Sequence, residues 1–313
     1  RALGASEDPA LATERRLTTP KHYAYLKISE GCNWKCGYCA IPLIRGAHVS
    51  VPMEELEEEA RKLAGQGVRE LMVIAQDTTY YGIDLYGRRM LAELLRRLCR
   101  IDGIEWIRLH YAYPAGFPDE VIEAMASEPK ICKYLDIPFQ HISDAQLASM
   151  HRRHTKAEAM ELIGRLRGAI PDLALRTTLL VGYPGETEAD FRTTYDFLAR
   201  LEPAFLHIFP FSERPGTPAV DLPGKVRPSV ATQRVAELEG LCERLHGAFC
   251  ARAEGTEDTV LFESTRRDGM MFGFTGSYRR VKVPYDRSKV NAVCRVKLGA
   301  MDETHDLLGE ILD

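Results

Sequence analysis

The sequence has no long apolar run and no strong excess of charge of either sign. No window of its 313 residues approaches the stretch of about eighteen apolar residues that a membrane-spanning helix needs, and no signal peptide opens the chain. We therefore expect a cytosolic protein with no membrane partner. The formal net charge of −4 argues against a surface that binds nucleic acid everywhere, but it permits a local basic patch.

Cysteine is scarce, with 8 in 313 residues, and three of these cysteines lie close together, at Cys32, Cys36 and Cys39. In a reducing compartment such clustering indicates metal binding or catalysis rather than disulfides. The other cysteines have no ligand spacing, and we expect them to be core residues. They are Cys99, Cys132, Cys242, Cys250 and Cys294.

Strand-like and helix-like segments alternate along most of the chain. Six such repeats predict a parallel sheet with crossover helices, and six are fewer than the eight of a closed barrel. We therefore expect an α/β fold, an open partial (β/α)6 barrel with its chemistry on loops at the C-terminal strand ends. The predicted strands are Tyr23–Ser29, Glu70–Ala75, Trp106–Tyr111, Tyr134–Pro138, Ala174–Val181 and Phe205–Phe209.

Helices are predicted between these strands, and two of them begin with a capping box, Ser143 with Gln146 and Thr155 with Glu158. The C-terminal part changes to short strand-like runs separated by turn residues, which predicts a small all-β domain. The predicted division is a linker over 1–21, the barrel over 22–228, a connecting helix over 229–255 and the β domain over 256–313.

The cysteine motif Gly31–Cys39 follows the first predicted strand, with C-x3-C-x2-C spacing. Three soft thiolates at this spacing can hold three irons of a 4Fe–4S cluster and leave the fourth iron without a protein ligand. The alternative is a structural zinc site completed by His22 or His48. Zinc sites usually pair their cysteines twice over, and this sequence has no second pair.

This motif, placed after the first strand of a six-fold βα repeat, resembles the radical-SAM superfamily. The longer segment YLKISEGCNWKCGYCAIPLIRGAHVS resembles the methylthiotransferases, whose pattern runs CN-xx-C-xx-C-x-IP-xx-RG-xxx-S. The resemblance implies a partial barrel followed by a TRAM domain, a 4Fe–4S cluster on the three cysteines, and S-adenosylmethionine as cosubstrate. The family usually has arginine after the serine of this pattern, whereas here Ser50 is followed by Val51.

The same resemblance implies cofactor contacts on the later loops. Gln76 stands where the methionine ammonium is bound, and an arginine of the MHRR segment is expected to pair with the cofactor carboxylate. For His141 a functional and a structural role are equally plausible, and Gly182 fits either an adenosine contact or a strand–helix corner. The candidate cofactor-binding residues are Tyr38, Gln76, Gln140, Arg152, Arg153, Thr178 and Gly182.

Partners also follow from the resemblance. The family holds a second 4Fe–4S cluster, the sulfur source, in an N-terminal domain with three further cysteines, and no cysteine precedes Tyr23. We therefore expect a truncated chain, together with a reductant such as flavodoxin or ferredoxin. The barrel resembles the RimO branch, which modifies an aspartate β-carbon of ribosomal protein uS12. The C-terminal part resembles the MtaB branch, which modifies threonylcarbamoyl-adenosine in tRNA, so tRNA is the alternative substrate.

Cations are concentrated in the predicted β domain, where Arg279, Arg280 and Lys282 are candidates for an RNA-binding patch. Alternate residues of a strand share a face, so Arg280 and Lys282 should project together. The competing interpretation is an edge strand guarded by charge against aggregation. A non-catalytic RNA-binding module with a structural cluster is the hypothesis from another functional class.

Overall fold

The computed structural model describes residues 17–312, so most of the predicted linker lies outside the described residues. The first third of the described chain contains short ladders and the first two long helices. Its elements are β1 (Tyr23–Lys27), β2 (Ser29–Glu30), α1 (Ile41–Arg45), β3 (Val49–Ser50), α2 (Met53–Gly65), β4 (Glu70–Ile74), α3 (Ile83–Tyr86) and α4 (Leu91–Cys99).

The middle of the chain repeats strand and helix. Its elements are β5 (Trp106–Leu109), α5 (Asp119–Ser127), β6 (Ile131–Asp136), α6 (Asp144–Ser149), α7 (Lys156–Ala169), β7 (Ala174–Val181), α8 (Glu188–Leu201), β8 (Phe205–Pro210) and α9 (Pro228–Ala251). The C-terminal part is all β, with β9 (Glu257–Arg267), β10 (Met270–Thr275), β11 (Arg280–Pro284), β12 (Val293–Met301) and β13 (Leu307–Ile311).

Six strands form one parallel sheet in the order β1-β4-β5-β6-β7-β8. Along β7, Leu175, Leu179 and Val181 are buried in the core that the helices share, whereas Arg176 and Thr178 on the other face are partly exposed. The sheet is therefore covered by helices on its convex face and lines a lumen with its concave face. This confirms the predicted fold class of an open (β/α)6 barrel followed by a small β domain.

The five C-terminal strands close into a barrel in the order β10-β11-β13-β12-β9. The turn between β10 and β11 inserts at the N-terminal end of the parallel sheet. There the fully buried guanidinium of Arg108 bonds Glu70 Oε1 at 2.5 Å and the carbonyl oxygen of Gly276 at 2.6 Å, and it lies 3.6 Å from the Tyr278 ring centroid. The small barrel thus closes one end of the lumen. The domain boundaries given above stay predictions.

Local capping matches the sequence in part. Thr155 and Glu158 form the predicted capping box of α7, and Thr187 with Asp190 forms a second one that the sequence analysis missed. The predicted box at Ser143 is wrong, because its hydroxyl donates to Asp190 Oδ1 at 2.5 Å instead of capping α6. Pro52 is the N-cap of α2.

Candidate active site

The cysteine loop is closed at its base by a two-residue ladder. Ser29 pairs with Ser50 and Glu30 with Val49, so the residues between them leave the C-terminal end of β1 and return to it. Gly31 has a φ of 72°, and a Cβ there would lie 2.0 Å from the carbonyl oxygen of Ala47. Only glycine permits this close return of the chain. The sequence therefore folds this segment into a compact loop above the sheet.

The three thiols of the motif face a common space. Cys36 is buried, and Cys32 and Cys39 are half-buried. Burial, together with the nearby thiols of Cys36 and Cys39, raises the pKa of the Cys32 thiol to about 11. Burial also raises the pKa of Cys39, with Cys36 adding to it. Mutual repulsion of this kind is relieved when thiolates bind metal cations.

Arg152 brings a buried cation to this space. Its Nη1 lies 3.8 Å from Cys36 Sγ, its Nη2 donates to the carbonyl oxygen of Pro138 at 2.5 Å, and its guanidinium carbon lies 4.2 Å from the Tyr113 ring centroid. Its buried Nε has no partner. Arg153 points outward and is exposed, with only its backbone N–H bonded, to the Tyr113 hydroxyl. The structure thus distinguishes the two adjacent arginines.

Tyr113 and Asp77 join the cysteine loop to the next two strands. The Trp34 ring stacks on Tyr113 at 4.1 Å, so the indole and Arg152 occupy opposite faces of one phenol ring. The Trp34 indole N–H donates to Asp77 Oδ2 at 2.7 Å, and Asp77 Oδ1 accepts from the backbone and hydroxyl of Thr79. Asp77 is therefore a fully bonded carboxylate that fixes the walls of the site.

Gln76 leaves an acceptor free beside the cysteine loop. Its Nε2 donates to Glu30 Oε1 at 3.3 Å, whereas its buried Oε1 has no partner. A buried amide oxygen without a donor costs free energy unless a ligand supplies one. This arrangement fits the predicted contact between Gln76 and an ammonium group.

Gln140 and Thr178 meet where β6 and β7 end. The backbone N–H of Gln140 donates to the Thr178 carbonyl oxygen at 2.8 Å, and Gln140 has a φ of 70°, which is unusual for a residue with a side chain. Tyr38 is half-buried and packs with Tyr183 beside the thiols. Burial raises the pKa of the Tyr38 hydroxyl despite the opposing charge of Arg152. Tyr38 therefore borders the same space as Cys36 and Cys39, and the cofactor contacts of Gln140 and Thr178 stay predictions.

Gly182 and His141 are held by a buried carboxylate, Glu186. Its Oε2 accepts from the Gly182 backbone N–H and from Arg234 Nη1, both at 2.7 Å, and its Oε1 accepts from His141 Nε2 at 3.2 Å. Two backbone N–H groups donate to His141 Nδ1, so this ring nitrogen is the acceptor and Nε2 carries the proton. A Cβ at Gly182 would lie 2.9 Å from Ala231 Cβ. His141 is therefore a structural histidine, and Gly182 serves the strand–helix corner.

Sequence reasoning missed several of these residues. Trp34 lay inside the motif as a spacer, Asp77 read as part of a hydrophilic loop, and Tyr113 carried no pattern at all. Glu186 and Arg234 are 48 residues apart and meet only in the folded chain. A carboxylate directly after a strand end, as at Asp77, was the one local signal available.

Two of the three cations in the candidate RNA patch are paired with carboxylates of the small barrel. Arg280 forms two bonds to Asp306, at 2.6 and 2.7 Å, and Lys282 pairs with Asp302. The Arg279 guanidinium lies 3.8 Å from the Phe249 ring centroid and bonds Ser277 Oγ. Arg280 and Lys282 do share the outward face of β11. Their charges are nevertheless paired within the small barrel.

The residues fit an iron–sulfur cluster better than a single ion. Within residues 17–312, no three His, Cys, Asp or Glu side chains are close enough to surround one metal ion. A tetrahedral zinc needs every sulfur about 2.3 Å from one point, whereas a 4Fe–4S cluster takes each thiolate on a different iron. His22 faces Glu263 at 3.5 Å and His48 bonds Ser50 Oγ at 3.0 Å, so both histidines proposed for zinc are engaged elsewhere.

Comparison with known proteins gives one family match and close relatives. Residues 26–198 match the model of the Radical SAM superfamily. The chain is 53% identical to the ribosomal protein uS12 methylthiotransferase RimO of Flavobacterium johnsoniae over 238 residues, 76% of this chain and 54% of that protein. It is 42% identical to the RimO of Phocaeicola vulgatus over 99% of this chain and 73% of that protein. The chain thus spans about half the length of the first relative.

A solved structure supports the fold alone. The radical S-adenosylmethionine methyltransferase TsrM of Kitasatospora setae, with cobalamin and a 4Fe–4S cluster bound, aligns with a TM-score of 0.53 at 18% identity, over 63% of this chain and 38% of that one. In the described part of the chain, no helix has the length and apolar character to cross a membrane.

Proposed function

Because this chain belongs to the radical SAM superfamily and, within it, to the RimO family, we propose that it is the catalytic core of a methylthiotransferase that acts on an aspartate β-carbon of ribosomal protein uS12. The observation that carries the proposal is the likeness to the P. vulgatus RimO over 99% of the chain. This likeness extends over the C-terminal residues, whose pattern had suggested a tRNA substrate. With two of the three cations of the patch paired as well, a tRNA substrate is not favoured.

We assign the cluster to Cys32, Cys36 and Cys39, and the cofactor's methionine end to Gln76 and Arg152. When bound, the cluster and S-adenosylmethionine supply a carbon-centred radical that removes hydrogen from an unactivated C–H bond. Gln76 Oε1 lacks a donor and fits the ammonium, and Arg152 Nε lacks an acceptor and fits the carboxylate. The two orphaned atoms complement the two charged groups of a methionine moiety.

The remaining side chains hold these groups in place. Tyr113 covers the guanidinium of Arg152 with one face of its ring, and Trp34 stacks on the other face and holds that ring in place. Asp77 fixes the Trp34 indole, and the carbonyl oxygen of Pro138 fixes Arg152 from the opposite side. A preorganised cation in a dry pocket binds a carboxylate more strongly than one in water.

The transfer also requires sulfur and electrons. We propose that a second 4Fe–4S cluster, held outside the described residues, provides the sulfur. A one-electron carrier such as flavodoxin or ferredoxin would supply the electron. Both belong to the whole enzyme rather than to the residues described above.

Anaerobic reconstitution tests the proposal. The chain should bind about four irons, and with a strong reductant it should release 5′-deoxyadenosine from S-adenosylmethionine. Cys36→Ala should abolish both, whereas Cys242→Ala, which changes a half-buried cysteine outside the motif, should keep the iron. Adding the full-length form and uS12 should give methylthiolated uS12. A chain that binds stoichiometric zinc and survives air exposure unchanged would contradict the cluster, and methylthiolated tRNA without modified uS12 would contradict the substrate.

A further inference from the structure

A cavity of about 360 Å³ lies in the lumen, between the small barrel, which contributes Glu263, Phe274 and Tyr278 to its wall, and the parallel sheet. Its wall includes Ile74, Tyr111 and Arg176. Two residues after each of these come Gln76, Tyr113 and Thr178, which belong to the candidate active site. Two residues of extended chain rise about 6.6 Å. Along β7, where the chain is extended, the cavity wall at Arg176 therefore lies one such step from Thr178, a candidate cofactor contact.

Arg176 is the cation of this cavity. Its Nη1 donates to the Tyr134 hydroxyl at 3.2 Å, and its Nη2 touches the exposed ring of His207. Its Nε has no hydrogen-bond partner, because the nearest carboxylate oxygen, Asp136 Oδ2, is 3.9 Å away. The Nε–H thus faces the Asp136 carboxylate without bonding it, which leaves the guanidinium one donor for a further carboxylate oxygen.

The neighbours of Arg176 offer the complementary groups. Asp136 Oδ1 is a buried acceptor without a donor, and His110 Nε2 is also unpaired. These two residues are only 3.9 Å apart through His110 Nδ1 and Asp136 Oδ2. An aspartate within a polypeptide carries a carboxylate for Arg176 and a backbone N–H for an acceptor. The unpaired polar atoms of Arg176, Asp136 and His110 thus match the polar groups of one aspartate residue in a protein substrate.

We propose that Arg176 binds the carboxylate of the target aspartate and sets the preference of the enzyme for an acidic side chain. The inference rests on the proposed function, since it presumes a uS12 aspartate as substrate. Arg176 holds the carboxylate, so the adjacent β-carbon faces the cofactor site one strand step above. A neutral nucleobase carries no negative charge for the remaining Nε–H donor of Arg176, which disfavours tRNA.

Binding of uS12 to the reconstituted chain tests the assignment. The dissociation constants of uS12 and of uS12 with its target aspartate changed to asparagine are compared for the parent, Arg176→Met, Arg176→Lys and Arg200→Met. The last variant is a matched control, because Arg200 is exposed on α8 and bonds only a carbonyl oxygen of its own helix. Formation of 5′-deoxyadenosine without uS12 is measured for each protein.

The parent and Arg200→Met should bind the aspartate form about tenfold or more tighter than the asparagine form, as expected for a charged hydrogen-bonded pair. Arg176→Met should bind both forms equally, and Arg176→Lys should keep part of the preference. Arg200→Met should release 5′-deoxyadenosine at the basal rate of the parent, and both Arg176 variants should still bind about four irons, which shows that they fold. An Arg176→Met protein that still discriminates as the parent does would overturn the assignment while leaving the methylthiotransferase intact. A parent that binds neither form of uS12 would overturn the proposed function, and the assignment with it.

Discussion

The guanidinium Nη1 of Arg152 lies 3.8 Å from the Sγ of Cys36, so the central cysteine of the motif has a fixed cation beside it. Within the described residues, no arginine or lysine side chain forms a hydrogen bond to the sulfur of Cys32 or Cys39. A cation this close stabilises whichever redox state of a cluster carries more negative charge, which is the reduced state.

Arg152→Met should therefore make the reduction potential of the reconstituted cluster more negative, by on the order of tens of millivolts. It should also reduce cleavage of S-adenosylmethionine, because the cofactor carboxylate loses its partner. A redox titration followed by electron paramagnetic resonance measures the first effect. Arg153→Met changes the adjacent, outward-facing arginine and should leave the potential at the parent value. Equal shifts in both variants would contradict a specific role for Arg152.

The cysteine motif and the strand order were predictable because both have local signatures. Periodic burial specifies strands such as Ala174–Val181, whose observed bounds match the prediction. The three cysteines Cys32, Cys36 and Cys39 lie within eight residues. The choice between Arg152 and Arg153 was not predictable. It depends on His151, whose φ of 55° ends α6 and turns the next side chain inward.

Long-range pairing explains the other failures. The Ser143 pattern resembles a capping box, but its hydroxyl bonds Asp190, 47 residues away, and no local pattern contains that information. The charge of Arg280 and Lys282 looked unpaired in the sequence for the same reason. The carboxylate partner of Arg280 lies 26 residues further on and that of Lys282 lies 20 residues further on, both in the turn before β13.

That pairing leads to a prediction about RNA. Since Arg280 and Lys282 are already neutralised by Asp306 and Asp302, the variant carrying both Arg280→Gln and Lys282→Gln should leave the salt dependence of any tRNA binding unchanged. Two free phosphate-binding cations would instead change the slope of log affinity against log salt by about two units. Filter binding over a series of salt concentrations distinguishes the outcomes. A clearly flatter slope of log affinity against log salt in the double variant would support RNA binding by Arg280 and Lys282.

Glu186 is the most heavily bonded carboxylate of the strand–helix corner, and its removal should be costly. Glu186→Ala leaves Arg234 buried without its closest counter-charge and the Gly182 N–H without an acceptor. Breaking a buried pair in this way typically costs about 3–5 kcal/mol of unfolding free energy. Urea unfolding measures the change.

A matched surface variant provides the control for this prediction. Glu237→Ala removes a partner of Arg192, which is exposed, so its cost should stay below about 1 kcal/mol. Similar losses of unfolding free energy in the two variants would show that the buried Glu186–Arg234 pair stabilises the fold no more than an exposed pair.

His154 should make stability depend on pH. It is buried near Arg152, and both of its ring nitrogens lack partners. Burial, together with the charge of Arg152, lowers its pKa to about 3. Between that value and the unfolded value of 6.5, the unfolded chain binds a proton that the folded chain does not. The free energy of unfolding should therefore fall as pH falls from 6.5 towards 3, at a rate of up to about 1.4 kcal/mol per pH unit.

His154→Phe isolates this contribution. Phenylalanine keeps an aromatic ring against Tyr113 and Phe139 but cannot bind a proton. Urea unfolding of both proteins without iron, from pH 7 to pH 4, removes the acid loss of the cluster from the comparison. The parent should lose stability relative to the variant as the pH falls below about 6.5, and above that pH the difference between them should be constant. Parallel curves over the whole range would mean that His154 is protonated in the folded protein, and its burial beside Arg152 would then need a counter-charge.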